Sequence, residues 1–535
     1  MKVSYRGLVV TAVSGLAVWA IARAMRLLHY TLTLDQAYFV ESFDTTFRYG
    51  VPRSRMLKSI TEYFKTIIDK DVATVCQMPL PVDHGPMMNV FSWHSLPILY
   101  LIAPLKLFFD GTVIVATLTA LTFVLMIVIV YVAARRRSVP VLAAFSFAFL
   151  VTAHPVWSHG MFWQIYPDRF FMVFGLLYAI ALVSYFEEDR RSPAWLALLV
   201  VSAVLATSCT ERAGMMISAY TFGCLLLFRG LHYRRLDLFP LAIAVATAAY
   251  VLVYMRFFQD NYFYAGFSYF FLPRIVEILR HGLDEASTKF LLVNALGLGL
   301  LSLFQWRLAL LAAGAMLPNI LGSLGGVEKS GWYSHYHSLY FTFLVAAALF
   351  GMVRLHQLFP DRLRTILASV GMIFCGVLLL LINSREPIPL LAFSFSNLRD
   401  YAPVKVVRLI ADTKDRRDLK AREAMLLSAA AAVPPGATVS GVDPMMPALY
   451  DDKAFRHISV YPLGIGEAEY VVVPYKKLPD GRLELSGVVN FGGPEAQKKI
   501  AECMSERLAS SGFRPTLLVP AVPDVDWGMA VLRRQ

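Results

Sequence analysis

Eleven stretches of mostly apolar residues recur along the chain. They begin near residues 8, 112, 139, 170, 194, 213, 238, 288, 307, 338 and 364. A helix needs about 20 such residues to cross the hydrocarbon core of a bilayer. No water is available there, so backbone polar groups must bond within the segment, which a helix achieves. Composition agrees: 57% of the 535 residues are hydrophobic and 16% are charged, against about 25% charged in a soluble domain. A disordered chain, a collagen-like fibre and an enzyme soluble throughout are thereby excluded.

The net charge of +12 would suggest nucleic acid in a soluble protein. In a membrane protein it is first a topology signal, because short cytoplasmic loops retain Lys and Arg. A twelfth apolar stretch, 95–109, is short and carries Pro97, Pro104 and Lys106. If it lies in the interface, Arg135, Arg136, Arg137, Arg190, Arg191, Arg234 and Arg235 all become cytoplasmic, with Arg307, Arg354, Arg362 and Arg364. The positive-inside rule favours that solution. It predicts an α-helical polytopic membrane protein of about 11 transmembrane helices, N-terminus cytoplasmic and C-terminus outside. Lys2 and Arg6 ahead of an apolar run resemble a signal peptide, but Arg23, Met25 and Arg26 follow where a small-residue cleavage site would be. The segment reads as an uncleaved anchor.

The predicted organisation is a transmembrane domain over 1–383 and a soluble domain over 384–535. Residues 29–111 form a long first outer loop, and 256–287 a second. In the first loop, Met56, Leu57, Ile60, Phe64, Ile67 and Ile68 share one helical face, with Arg53, Arg55, Lys58, Lys65 and Lys70 opposite. That pattern suits a helix lying on the membrane surface, or an amphipathic helix packed on the tail. The tail reads as helix over 403–432 and 494–511, with strands at 437–442, 458–461, 470–474, 513–519 and 527–533, a small α/β domain. It contains neither GxGxxG nor GxxxxGK[ST], so no nucleotide-binding fingerprint. Cys76, Cys209, Cys224, Cys375 and Cys503 show no CxxC pair and no metal-ligand spacing, and imply no disulfide framework.

With this topology the scarce polar residues gather at one membrane face: Asp35, His154, His159, Asp168, Glu211, Arg212, His335 and His337. Ionisable groups near membrane depth are costly and mark functional sites. Each also has a plainer role. Asp35 or Asp168 would serve as a helix cap, Glu211 and Arg212 as a local ion pair, and Trp332, Tyr333, Tyr336 and Tyr340 as an interfacial aromatic belt. A metal at His335 and His337 would need a third ligand.

Four stretches carry a resemblance to a known family. They are Leu34-Asp35-Gln36-Ala37 with Tyr49-Gly50, then Ser95 to Pro104, then Thr210-Glu211-Arg212-Ala213-Gly214, then His335-Tyr336-His337. The tail segments Val433 to Val439 and Tyr470 to Val473 add to them. Together they resemble the GT-C superfamily of membrane glycosyltransferases, closest to the bacterial polytopic proteins of unknown function grouped with the mannosyltransferase-like families. One departure is that Trp163 to Asp168 stands where that branch often has an acid-aromatic-His motif.

The resemblance implies transfer of a hexose or pentose from a polyprenyl-phosphate donor to a cell-envelope glycan, lipid or protein, on the periplasmic face of a bacterial inner membrane. Asp35 is then the candidate catalytic base. Asp168 and Glu211 are acid or metal partners. Arg212, Arg256, Arg274, His335 and His337 are the candidates for donor phosphate or sugar, lipid-headgroup contact being the alternative for Arg256 and Arg274. Some members use a divalent metal, Mg or Mn, and others none. Two other classes remain open: a transporter or flippase of lipid-linked sugars, and a non-catalytic envelope scaffold.

Overall fold

The computed structural model describes residues 34–66, 71–78, 87–109, 111–158, 166–188, 191–230, 237–259, 274–322, 329, 332, 335–382, 421, 424–442, 445–450, 456–477, 483–485, 494–522 and 527–535. The expected first span, His159 and the predicted helix over 403–420 lie outside them. The chain divides into two compact units. One comprises residues 1–25, 91–101 and 114–406; the other comprises 26–90, 102–113 and 407–535.

The first unit is helical. Among the described residues, six helices are long and apolar enough to cross a membrane: Val113–Arg136, Pro167–Glu187, Leu238–Phe257, Glu285–Leu321, His335–Leu358 and Arg362–Leu381. Ile98–Leu107, Val141–Ala153 and Pro193–Thr207 are shorter apolar helices. Glu211–Arg229 is a further helix, where a span was expected near 213. Two helices form the centre, Phe171–Glu187 and Ser338–Leu358, the latter buried continuously from Ser338 to Val353. The peripheral helices turn Leu, Val and Phe outward, as at Leu363, Leu367, Val370 and Phe374. Lipid is as apolar as these side chains, so helix association rests on close packing of small residues. Gly351 shows this: a Cβ there would lie 1.9 Å from the Leu301 carbonyl oxygen.

The spans expected near 288 and 307 occupy one 37-residue stretch, Glu285–Leu321. It is broken at Leu296 and Gly297, whose dihedrals are non-helical. Gly297 takes φ +79, and a Cβ would meet Leu150 Cδ1 at 2.7 Å. Glycine is required here by both the left-handed backbone and the space.

The second unit is an α/β domain assembled from both ends of its sequence. Its sheet runs in the order His457–Val460, Thr438–Gly441, Tyr470–Lys477, Gly528–Arg534, Phe513–Val519, with Leu483–Leu485 paired to Tyr470–Lys477. The first three strands are parallel and the other pairings antiparallel.

The Arg55–Thr66 helix of the first loop packs on this sheet. Met56, Leu57 and Ile60 are buried, and Ser59 Oγ accepts the Val460 N–H at 2.7 Å. The surface-helix reading is therefore corrected in favour of packing on the tail. The apolar face that would have entered lipid is instead covered by protein. Ser54 Oγ caps this helix by accepting the Leu57 N–H at 2.8 Å, as N-cap hydroxyls do. Glu41 completes the cap, accepting from Ser54 Oγ, Arg55 N and Met56 N at 2.5, 3.1 and 3.1 Å. Burial raises the Glu41 carboxyl above its usual range, and these three hydrogen bonds oppose the rise.

A disulfide joins Cys76 to Cys503 across 427 residues of sequence. This corrects the expectation of no disulfide framework. Arg507 Nη1 reinforces the junction, donating to the carbonyls of Val75 and Cys76 at 3.2 and 3.3 Å. Loss of a native disulfide typically costs about 2–5 kcal/mol, and the long enclosed loop places this one toward the upper end. Alkylation with mass readout should find Cys76 and Cys503 blocked until the protein is reduced. Cys76→Ser with Cys503→Ser should lower the unfolding temperature of this unit. Two thiols that alkylate freely without reductant would remove the disulfide.

Candidate active site

Three helices of the first unit bring their N-terminal ends together. Tyr166 is extended, Pro167 opens a 3-10 turn through Arg169, and the Phe171–Glu187 helix follows. Pro is well suited to such a first turn, where its missing N–H costs nothing. Thr210 is also extended (φ −171), and Glu211 begins the next helix. His335–His337 form a 3-10 turn leading into Ser338–Leu358. Asp168, Glu211, Arg212 and His335, all expected at one face, thus sit at helix starts, where the dipole favours negative charge.

Asp168 is fully buried, with Oδ2 3.2 Å from Arg212 Nη2 and 4.0 Å from His335 Nε2. The His335 ring stacks on Tyr166 at 4.1 Å between centroids. The Arg212 guanidinium lies over the Tyr336 ring at 5.3 Å. Its side chain is 24% exposed, whereas that of Asp168 is 0%. Arg169 follows Asp168 but serves the interior: its Nη1 donates to Ser338 Oγ at 3.0 Å and its head lies over Phe123.

Glu211 is likewise fully buried, and its bonds run to the 91–101 segment. Oε1 meets His94 Nδ1 at 3.0 Å, and Oε2 accepts the Ser95 N–H at 3.0 Å and the Thr210 hydroxyl at 3.2 Å. The Leu238–Phe257 helix and its end hold the same segment. Tyr254 donates to the Phe91 carbonyl at 2.7 Å, Gln259 Nε2 to the Trp93 carbonyl at 3.0 Å, and Tyr250 bonds to Ser95 Oγ. The His94 ring meets Tyr166 edge-on. Glu211 therefore acts chiefly as a buried acceptor that fixes this segment, and Arg212 is the cation presented outward. Glu211 is satisfied at depth by N–H and hydroxyl donors, where an unmatched carboxylate would be costly, whereas the two Asp168 oxygens accept no hydrogen bond among the described residues and meet Arg212 as an ion pair.

The other expected site residues lie apart from this cluster. His337 is buried against Trp332 at 5.0 Å, with Nδ1 3.1 Å from Tyr340 Oη. His154 packs on Phe341 and Trp332. Arg256 is exposed in the last turn of Leu238–Phe257. Arg274 pairs with Glu277 at 2.7 Å and with Asp284, which also takes Lys329 at 3.0 Å. Asp35 stands in the first turn of the Leu34–Tyr49 helix of the second unit, and its side chain is outside the described residues.

Among the described residues, no group of three His, Cys, Asp or Glu is placed to hold a metal ion. His94, Tyr166, Tyr250, Tyr254 and Gln259 were not anticipated. The only signal for His94 was its position directly before the Ser95 to Pro104 stretch.

No family model matches the chain, and no curated protein matches it. Among solved structures the chain is similar to ArnT from Cupriavidus metallidurans bound to undecaprenyl phosphate. That similarity has 14% sequence identity, covers 99% of this chain and 98% of that one, and has a TM-score of 0.49. The chain is also similar to ArnT from the same organism in the apo state, at 16% identity, the same coverage and a TM-score of 0.46.

Proposed function

We propose that the chain is a GT-C-type membrane glycosyltransferase that moves a sugar from a polyprenyl-phosphate donor to a cell-envelope acceptor on the periplasmic face of a bacterial inner membrane. The observation that carries this reading is the buried cluster of Asp168, Glu211, Arg212, His94 and His335 at three converging helix starts. Helix N-termini favour anions, and a guanidinium donates two parallel bonds to a phosphate. Arg212, aligned by Asp168 and backed by His335, would receive the lipid phosphate as it leaves.

The acceptor hydroxyl oxygen attacks the anomeric carbon. The bond from that carbon to the phosphate oxygen breaks, and the phosphate departs with the electron pair. Asp35 takes the acceptor proton as general base. The motif resemblance supports this assignment. The Cys76–Cys503 disulfide supports a periplasmic location for the second unit, because disulfides persist in oxidising compartments. The full count of 11 spans, with the N-terminus inside and C-terminus outside, belongs to the same reading.

Asp35→Asn should lower transfer by at least about 100-fold, the lower range for a lost general base. It should leave undecaprenyl phosphate binding unchanged. The assay is transfer by full-length protein in lipid nanodiscs, with lipid-linked sugars as donors and envelope extracts as acceptors. Full activity in that variant would remove Asp35 from the mechanism. Counterflow of lipid-linked sugars across proteoliposomes without any transfer would replace the enzyme by a transporter.

A further inference from the structure

A groove of about 300 Å³ opens within the first unit, lined by the helices Val141–Ala153, Ser338–Leu358 and Arg362–Ile382. Ala143, Met352 and Met372 are buried and close its floor. Its walls present apolar surface: Leu355 is half-buried, and Phe359 and Leu367 are 39% and 61% exposed. On a scale where about 10–15 Å³ holds one water, the groove admits a length of acyl chain. An unfilled groove would forfeit dispersion contacts along its lining, and bilayer hydrocarbon is the material that can restore them.

The polar lining gathers at one end. His356 lies in the last turn of Ser338–Leu358, and Arg364 and Thr365 lie in the first turn of Arg362–Ile382. Met372 stands eight residues beyond Arg364 in the same helix, or ~12 Å at ~1.5 Å per residue. The order is that of a phospholipid, a polar head followed by a chain. Thr365 Oγ1 is committed to the Asp361 carbonyl at 3.1 Å. The Arg364 guanidinium lies over the Phe359 ring, 5.1 Å from its centroid. It is exposed, and among the described residues it makes no hydrogen bond or ion pair. Arg362 is exposed beside it, with Asp361 the one acid of that turn. Cations in a first turn are opposed by the helix dipole, and an anion at this end would relieve them.

We propose that the groove binds an anionic phospholipid, with one acyl chain between the helices and the phosphate at Arg364. Charge decides among occupants. A second copy on a twofold axis would bring the same patch, and so the same cations, together. Residues 8–28, the expected first span, carry Lys2 and Arg6 at their cytoplasmic end and supply no anion there. Under the positive-inside topology this end of the groove is cytoplasmic, where basic pockets between helices hold anionic headgroups. The inference goes beyond the transferase reading and stands without it.

The test places benzoylphenylalanine at position 367 of the full-length protein. The protein is held in nanodiscs of equal phosphatidylglycerol and phosphatidylethanolamine with identical acyl chains, and adducts are identified by mass after irradiation. Phosphatidylglycerol adducts should exceed phosphatidylethanolamine adducts about fivefold, the usual worth of one cation near anionic headgroups. Arg364→Gln should equalise the two at unchanged total yield, which misfolding would not produce. Arg136→Gln, an exposed cation on the same expected membrane side but outside the lining, should keep the excess. Equal adducts with Arg364 present, or an excess that survives Arg364→Gln, overturn the proposal. So does an excess lost equally in Arg136→Gln, which would reflect surface charge alone. Adducts chiefly to residues 8–28 or to a second copy overturn it in favour of those occupants.

Discussion

Arg212→Met is expected to destabilise the protein by about 3–5 kcal/mol, the usual cost of stranding one member of a buried ion pair. The Asp168 carboxylate is fully buried and 3.2 Å from Arg212. His335, at 4.0 Å, is too distant to take over the bond. The stacking of Arg212 on Tyr336 is worth only about 0.5–1 kcal/mol, so the ion pair dominates the effect. Asp168→Asn combined with Arg212→Met should therefore recover most of the lost stability, because it removes the orphaned charge. Under the proposed function neither variant should transfer sugar, since both lack the arginine assigned there to the lipid phosphate. Thermal unfolding in detergent near pH 7.5 checks the first claim and donor turnover the second. A double variant no more stable than Arg212→Met would show that Asp168 and Arg212 do not act as a pair.

Gly351→Ala should be nearly as damaging, although it adds a single methyl group. Its Cβ would lie 1.9 Å from the Leu301 oxygen, 2.7 Å from the Leu301 carbonyl carbon and 3.2 Å from Ser302 Cα. All three are backbone atoms, so no rotamer change relieves the clash and two helices must separate. Overpacking a core costs about 1–3 kcal/mol where side chains can adjust, and the cost here should exceed that range. Gly371→Ala is the matched control. It also lies within an apolar helix, but nothing is within 4 Å of its Cβ. There alanine should gain roughly 1 kcal/mol of helix propensity. The two variants should move the unfolding temperature in opposite directions, and a neutral Gly351→Ala would refute the close helix contact.

Much of the architecture was legible because hydrophobic period is a local property. The strands at Thr438–Gly441, His457–Val460, Tyr470–Lys477, Phe513–Val519 and Gly528–Arg534 lie close to where alternation and β-branched residues placed them. Leu483–Leu485, three residues long, is too short to show a period. Apolar content located the helices but not their lengths. Pro140 precedes Val141–Ala153, and His154 leaves the helical conformation before Pro155 opens a separate turn.

The candidate site was legible in part for the same reason. Asp168, Glu211 and His335 each begin an apolar run, so topology alone gathered them. His94 was not, because its partner Glu211 is 117 residues away and no local pattern links them. The Cys76–Cys503 pairing was hidden for the same physical reason, a contact between distant segments that spacing rules cannot see. The amphipathic helix at Arg55–Thr66 was recognised, but its pattern fits a lipid surface and a protein surface equally well.

The discontinuity of the second unit has a bearing on biogenesis. Residues 26–90 and 407–535 belong to one compact body, yet the ribosome completes the helical unit between them first. Until the tail emerges, Met56, Leu57 and Ile60 lack the sheet they pack on, and Cys76 lacks the thiol of Cys503. A chain truncated before Cys503 would therefore display an apolar helix and a reactive cysteine together. These are signals that chaperones and proteases can read, so the Cys76–Cys503 bond marks a chain in which the distant segments of the second unit have met.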